Sequence, residues 1–276
     1  MSRDHLYVGS LMSPSPTSPV VSARDVTVVR DGNTILEGID WDIDAGEGWV
    51  VFGPNGSGKT TLIEVVSSYL FPTRGTVSVL GETLGRTDAR ELRARIGYVG
   101  PLTGRFIRAN FRASEIVVTG LHASFVGAQW HDYQQSDWDR AIDCLRQVRA
   151  EELAERRFNT LSEGEKKRVI LARSLITEPR LILLDEAYAA LDLGARERLV
   201  AVLADLVSAD RSVVVVTHHV EEIPPGFANI LMLSGGRVVA CGPIGDALTS
   251  ESLSRTFDLP LEVSRQNGRW RARGAG

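Results

Sequence analysis

The chain has 276 residues, 43% of them apolar and 24% charged, with a formal net charge of −4. This is ordinary globular usage, enough for one large domain or a domain with an inserted lobe, and the slightly acidic balance speaks against a dedicated nucleic-acid binder. Two cysteines, Cys144 and Cys241, without ligand spacing leave no disulfide framework and read as inert thiols of a reducing compartment.

Met1–Val20 carries Pro14, Pro16 and Pro19 and no long apolar core. It reads as a disordered leader over 1–20 and not as a signal peptide. No apolar run approaches the roughly 20 residues that span a bilayer. The expectation is a cytosolic chain that meets a membrane only through a partner. Ala23–Ile43 alternates apolar and polar residues around Asp31-Gly32-Asn33, which predicts antiparallel edge strands. Trp49–Phe52 is a short apolar run that reads as a buried strand and feeds a glycine-rich loop. A helix is predicted over Leu62–Leu70, stopped before Pro72, and a strand over Thr76–Leu80 between Gly75 and Gly81.

From about residue 102 to 157 the texture changes, with charged and aromatic residues at helical spacing, which predicts a helical lobe. Beyond it, the apolar runs Leu181–Leu184 and Val213–Val216 flank a predicted helix over Ala195–Val207. Strand–helix–strand alternation of this kind builds a parallel sheet, whose ligand sites lie at the carboxyl ends of the strands. The loops after Phe52, Leu184 and Val216 are therefore expected to converge. Near the end, Gln266-Asn267-Gly268 sits between alternating segments and signals a β-hairpin.

Three strand ends carry chemistry. Gly53-Pro54-Asn55-Gly56-Ser57-Gly58-Lys59-Thr60-Thr61 fits G-x-x-x-x-G-K-[ST]. Glycines let such a backbone curl its N–H groups onto phosphate oxygens at a helix start, the lysine reaches the β- and γ-phosphates, and the Thr60 hydroxyl is placed to ligate Mg²⁺. Leu181–Leu184 ends in Asp185-Glu186. Two adjacent acids at a buried strand end require a compensating cation or proton. Mg²⁺ supplies it for Asp185, leaving Glu186 to orient or deprotonate an attacking water; a pair of helix-capping acids is the plainer alternative. His218 follows Val213–Thr217 and can bond a γ-phosphate, unless it is an ordinary surface histidine at a helix start.

In one order, Gly53–Thr61, Leu161-Ser162-Glu163-Gly164-Glu165, Leu181–Glu186, Ala190-Leu191-Asp192 and Thr217-His218 together resemble the nucleotide-binding domain of ABC ATPases. The resemblance covers most of the chain. It implies an α/β P-loop NTPase core with a mixed or parallel sheet, an N-terminal antiparallel β-subdomain and an inserted helical lobe, within a domain spanning 21–258, followed by a short C-terminal hairpin extension over 259–276. It implies ATP and Mg²⁺ as ligands, and a head-to-tail homodimer or paired ATPase subunit. Leu161–Glu165 then acts as a signature loop that contacts ATP held by the other subunit, and Asp192 links the two sites. Taken alone, Ser162 to Glu165 also reads as a helix N-cap with a capping box.

Three positions depart from the family pattern. Arg30 stands where an adenine-stacking aromatic is usual, although a guanidinium plane also stacks on a purine. Pro101 falls where a lid glutamine is expected, and neither Gly100 nor Leu102 replaces it. Ala187-Tyr188 follows the acids in place of Pro-Thr or Pro-Ser. The leading implied function is the ATP-hydrolysing subunit of a transporter, at the inner face of the membrane, with separate transmembrane permease subunits. Its candidate contact aromatics are Phe106, Phe111, Phe125, Trp130, Tyr133 and Trp138, or else these build the lobe's own core. The alternative is a soluble ATPase that switches another protein or a nucleic acid, with the arginines of the tail as a possible basic patch. On balance no nucleic-acid partner is expected.

Overall fold

A computed structural model describes residues 19–101, 103, 107, 110–123, 128 and 131–275. The leader up to Ser18, together with Leu102, Phe106, Phe125 and Trp130, lies outside the described residues. Val20, counted with the expected leader, is buried and donates its N–H to Ile43 O at 2.6 Å.

Two sheets form the body. The first has the order β2-β1-β4-β5, from β1 (Val21–Arg30), β2 (Asn33–Ile43), β4 (Arg74–Val79) and β5 (Glu82–Thr83), and all its pairings are antiparallel. The second has the order β10-β9-β3-β8-β7-β6. Here β3 (Gly48–Phe52), β6 (Ile96–Val99), β7 (Leu181–Leu184), β8 (Ser212–Thr217) and β9 (Asn229–Ser234) run parallel, and β10 (Arg237–Pro243) closes one edge antiparallel.

The unbroken apolar runs are explained by burial on both faces of this second sheet. Side chains alternate across a strand, so Leu181 and Leu183 enter one core while Ile182 and Leu184 enter another. Val214 and Val216 join the first core, and Val213 and Val215 the second. One core fills the space toward the antiparallel sheet and α1 (Lys59–Val66). The other lies under α3 (Ala113–Val118), α4 (Gln135–Gln147), α5 (Glu163–Leu175) and α6 (Leu193–Leu206). A short α2 (Ala89–Ala94) precedes β6.

The first helix differs from its prediction. It starts at Lys59, inside the glycine-rich loop, and ends at Val66. Ser67 Oγ donates to Ile63 O at 2.6 Å, and Ser68 turns left-handed with φ 62°. A serine reversal therefore stops the helix well before Pro72. At the C-terminus, α7 (Ile244–Ala247) and α8 (Ser250–Phe257) lead into the predicted hairpin, β11 (Leu261–Gln266) and β12 (Arg269–Gly274). Asn267 and Gly268 take φ values of 50° and 78°, as a two-residue type I′ turn requires. Cys144 is buried and Cys241 exposed, both as free thiols. Among the described residues no helix is long and apolar enough to cross a membrane.

Candidate functional site

The parallel strands β3, β7 and β8 end side by side, so the three loops predicted to converge do so. Between them opens a cleft of about 770 Å³, within the range typical of small-molecule sites. Asn55, Gly56, Gly58, Lys59, Thr60 and Thr61 line it from the first loop, Asp185 and Glu186 from the second, and His218 from the third.

The glycine-rich loop is built for an anion. Gly58 is the N-cap of α1 with φ 99°, and no side chain caps the helix. A Cβ at Gly58 would come within 2.6 Å of Leu36 Cδ2, so only glycine fits. The first N–H groups of α1 thus keep their positive end for a ligand. Lys59 is buried, with Nζ donating to Gly53 O at 2.8 Å and Pro54 O at 2.7 Å. Burial lowers its pKa, against the pull of Asp185 and Glu186. Gly53, Pro54 and Ser57 stand behind the lining, and Ser57 Oγ is buried without a hydrogen-bond partner.

Asp185 is 1% exposed, with neither carboxylate oxygen in a formed hydrogen bond. Burial raises its pKa, while the nearby Thr60 hydroxyl and Lys59 act in the opposite direction. Such an orphaned buried carboxylate beside a hydroxyl suits a hard divalent cation. Among the described residues no group of three or more His, Cys, Asp or Glu side chains could hold a metal by itself. The buried Asp185 carboxylate with the Thr60 hydroxyl beside it fits Mg²⁺, which takes one or two protein ligands and completes its shell with phosphate and water.

Glu186 is exposed and left-handed, with φ 56°, a conformation that costs a non-glycine residue about 1–2 kcal/mol. The turn separates it from the buried Asp185, and Lys167 Nζ braces it by donating to Glu186 O at 2.9 Å. His218 is exposed, and its ring stacks at a tilt on His219 with centroids 4.1 Å apart. Partial burial, then His219 and Lys59, lower its pKa, so the neutral imidazole is favoured. The turn that carries it is fixed from below: Thr217 Oγ1 accepts the His219 N–H at 3.0 Å and is hydrogen-bonded to the buried Glu222 carboxylate.

Other expected residues stand apart from the cleft. Arg30 is exposed at the end of β1, paired in register with Asn33, and does not line the cleft; Ile35 of β2 does. Pro101 is exposed beyond β6 and also outside the lining. Ser162 caps α5, accepting the Glu165 N–H at 3.3 Å, while Glu165 Oε2 accepts the Ser162 N–H at 2.7 Å. The capping box read from the sequence is formed, and Leu161 anchors it in the core. Glu163 pairs with Lys166 at 2.7 Å. Gly164 lies so close to α6 that a Cβ would fall 2.6 Å from Ala195 Cβ. Asp192 caps α6 through the Ala195 N–H at 2.7 Å, which ties the two helix starts together. None of Leu161–Glu165 faces the cleft of its own chain.

Ile35, Arg196 and Glu222 line the cleft without having been singled out, and Tyr188 does so although the sequence marked it only as a departure. Arg196 and Glu222 belong to no short motif and reach the cleft only through the placement of α6 and the turn after β8.

The sequence profile of the ABC transporter family matches residues 36–189. The chain is 38% identical over 247 residues to the uncharacterized ABC transporter ATP-binding protein YlmA of Bacillus subtilis strain 168, covering 88% of this chain and 93% of the relative. It is 34% identical over 275 residues to the hemin import ATP-binding protein HmuV of Nocardia farcinica, covering 94% and 93%. Its fold matches the dimeric, post-hydrolysis structure of the ATP-binding cassette MJ0796 bound to ADP and Pi, with a TM-score of 0.69 and 27% identity over 81% of this chain and 98% of that one. By the family profile and by relatives of this identity and coverage, the chain belongs to the ABC transporter family, as an ATP-binding protein with a single nucleotide-binding domain.

Proposed function

We propose that this chain is the ATP-hydrolysing subunit of a transporter, working as a head-to-tail dimer that drives separate membrane subunits. Lys59 and the N–H groups of α1 bind the β- and γ-phosphates. Thr60 and Asp185 hold Mg²⁺, which when bound neutralises phosphate charge. Glu186 takes the proton of the attacking water, or aligns that water, and neutral His218 steadies the γ-phosphate side. Ser162 and Gly164 contact the γ-phosphate of the partner's ATP, with Asp192 between the two sites. Arg30 is the candidate to stack on adenine. The observation that carries this reading is the buried, unpartnered Asp185 carboxylate beside Thr60 and Lys59, with an exposed acid directly after it.

A second cleft, of about 440 Å³, is lined by Tyr69, Arg90, Arg93, Tyr98, His122 and Ser174 among others. It supports docking of a cytoplasmic helix from a membrane subunit, and with it a peripheral location at the inner face. Its aromatics come from the α1 end and β6. Phe111, Tyr133 and Trp138 of the expected contact set pack against the core instead. The arginines of the tail are engaged within the chain: Arg269 with Glu197, Arg273 with Glu262 and Arg271 with Gln266. This weakens the reading of a nucleic-acid switch.

The test is Glu186→Gln. ATP binding is expected to persist while phosphate release falls by about 100-fold or more. Undiminished phosphate release removes Glu186 as the base.

A further inference from the structure

The C-terminal hairpin touches the cleft from behind through one side chain. Arg269 of β12 donates from Nη1 to Glu197 Oε2 at 2.8 Å and from Nη2 to Glu197 Oε1 at 3.2 Å. The same Nη2 donates to Glu221 O at 2.6 Å. The planar fork thus holds a carboxylate of α6 and a backbone carbonyl of the turn Val220–Glu222 at once, a geometry a lysine ammonium does not reproduce. The Glu221 side chain returns the contact, accepting the Ala272 N–H at 3.2 Å.

Both gripped elements form the cleft wall. Glu197 follows Arg196, which lines the cleft, and Glu221 lies between His218 and Glu222, which also line it. The intervening turn is tight, with Glu222 N–H donating to His219 O at 3.1 Å. Thr217 and Glu222 close it by their side-chain hydrogen bond. A displacement of Glu221 O therefore carries His218 with it. The hairpin itself does not depend on Arg269 for docking. Leu261 N–H donates to Ser254 Oγ at 2.9 Å and Val263 N–H to Ser250 Oγ at 3.0 Å, and Trp270 packs on the core.

We infer that Arg269 is a positioning residue: it fixes the turn bearing His218 against α6, so the hairpin sets where the imidazole stands in the ATP cleft. The inference rests on the ATPase reading above. A rigid hold matters because small misplacements of a group at a reacting centre are amplified in rate.

The experiment compares wild type with Arg269→Gln, Glu197→Gln, the double variant, and Arg271→Gln, whose guanidinium bonds Gln266 within the hairpin. ATP turnover, the ATP dissociation constant and amide exchange over residues 217–223 are measured on each. Arg269→Gln is expected to lower kcat about tenfold with ATP affinity changed by less than about twofold. Exchange in 217–223 rises, and Arg271→Gln matches wild type. The double variant is no slower than Arg269→Gln alone, since Glu197 holds the turn through Arg269, which also bonds Glu221 O. Unchanged kcat beside an active wild type overturns the inference, as does an equal loss in Arg271→Gln or additive losses in the double variant. Unchanged exchange in Arg269→Gln overturns the positioning role whatever the turnover. A wild-type chain that binds ATP and never releases phosphate overturns the ATPase reading instead.

Discussion

Two helix starts in this molecule face the same electrostatic problem and solve it in opposite ways. At α1 the N-cap is Gly58, no side chain covers the first N–H groups, and no acid occupies the first turn. At α5 the chain satisfies itself: Ser162 and Glu165 cap each other, and Glu163 and Glu165 place two carboxylates in the first turn. An uncapped start forgoes about 1 kcal/mol of local stability and keeps its donors for a phosphate. A self-capped start is stable alone, and an incoming phosphate meets negative charge already in place. The difference teaches that the first helix start is left open to an anion, whereas the second is satisfied within its own chain and, in the proposed dimer, would meet phosphate only on closure.

The largest expected effect is at the bare helix start. Lys59→Ala removes the one ammonium there, and ATP affinity measured by fluorescent-nucleotide titration should fall about 100-fold, the scale of charge-assisted phosphate bonds. A fall under threefold breaks the comparison. Next comes the acid the same loop serves. In the folded chain burial raises the Asp185 pKa above the usual 3.8, so the folded state binds the proton more tightly than the unfolded one. The stability of nucleotide-free protein therefore declines as pH rises from about the unfolded aspartate value through the raised folded one. Asp185→Asn should abolish Mg²⁺-dependent turnover, remove this decline and raise the melting temperature at neutral pH by about 2–4 °C. A lower melting temperature contradicts it.

The self-capped start should answer differently. Ser162→Ala loses the cap, costing about 1 kcal/mol and lowering the melting temperature by about 2–4 °C, while ATP affinity of the isolated subunit stays the same. A weakened monomer affinity would show that the loop reads nucleotide within its own chain. The smallest effect is expected for Glu165→Gln, which keeps the capping box but removes a charge. ATP-driven dimerisation in a Glu186→Gln background, followed by sedimentation, should tighten about threefold, the scale of a single charge at a helix end. Weaker dimerisation would mean that the carboxylate helps the closed state.

Legibility in the sequence tracks locality. β3, β7 and β8 were readable because burial on both faces leaves an unbroken apolar run, and the hairpin because Asn267-Gly268 alone specify its turn. The capping box of Ser162 and Glu165 lies within four residues and was likewise visible. By contrast, the end of α1 depends on the left-handed Ser68, a conformation no propensity favours in serine. Ile35 reaches the cleft only because β2 lies across the glycine loop. Glu222 and Arg269 act through partners chosen by the tertiary fold, Thr217 in the first case and Glu197 in the second. Nothing in their neighbourhoods announces this. The substitution of Pro101 at the lid position was visible as a departure, and the structure places it away from the cleft without assigning it a contact there.

The pairing of β3 has a consequence for synthesis. The strand that delivers the phosphate loop is flanked on one side by β8 and on the other by β9, both far downstream. A nascent polypeptide that has left the ribosome only as far as Leu175 already contains every residue of Gly53–Thr61, yet its β3 has no neighbour in the parallel sheet. Pairings this distant in sequence close late, so the phosphate loop gains its sheet support only near the end of folding. Until Ser234 has emerged, the apolar strand Trp49–Phe52 lacks one or both of its sheet neighbours, the kind of transiently exposed segment that invites aggregation.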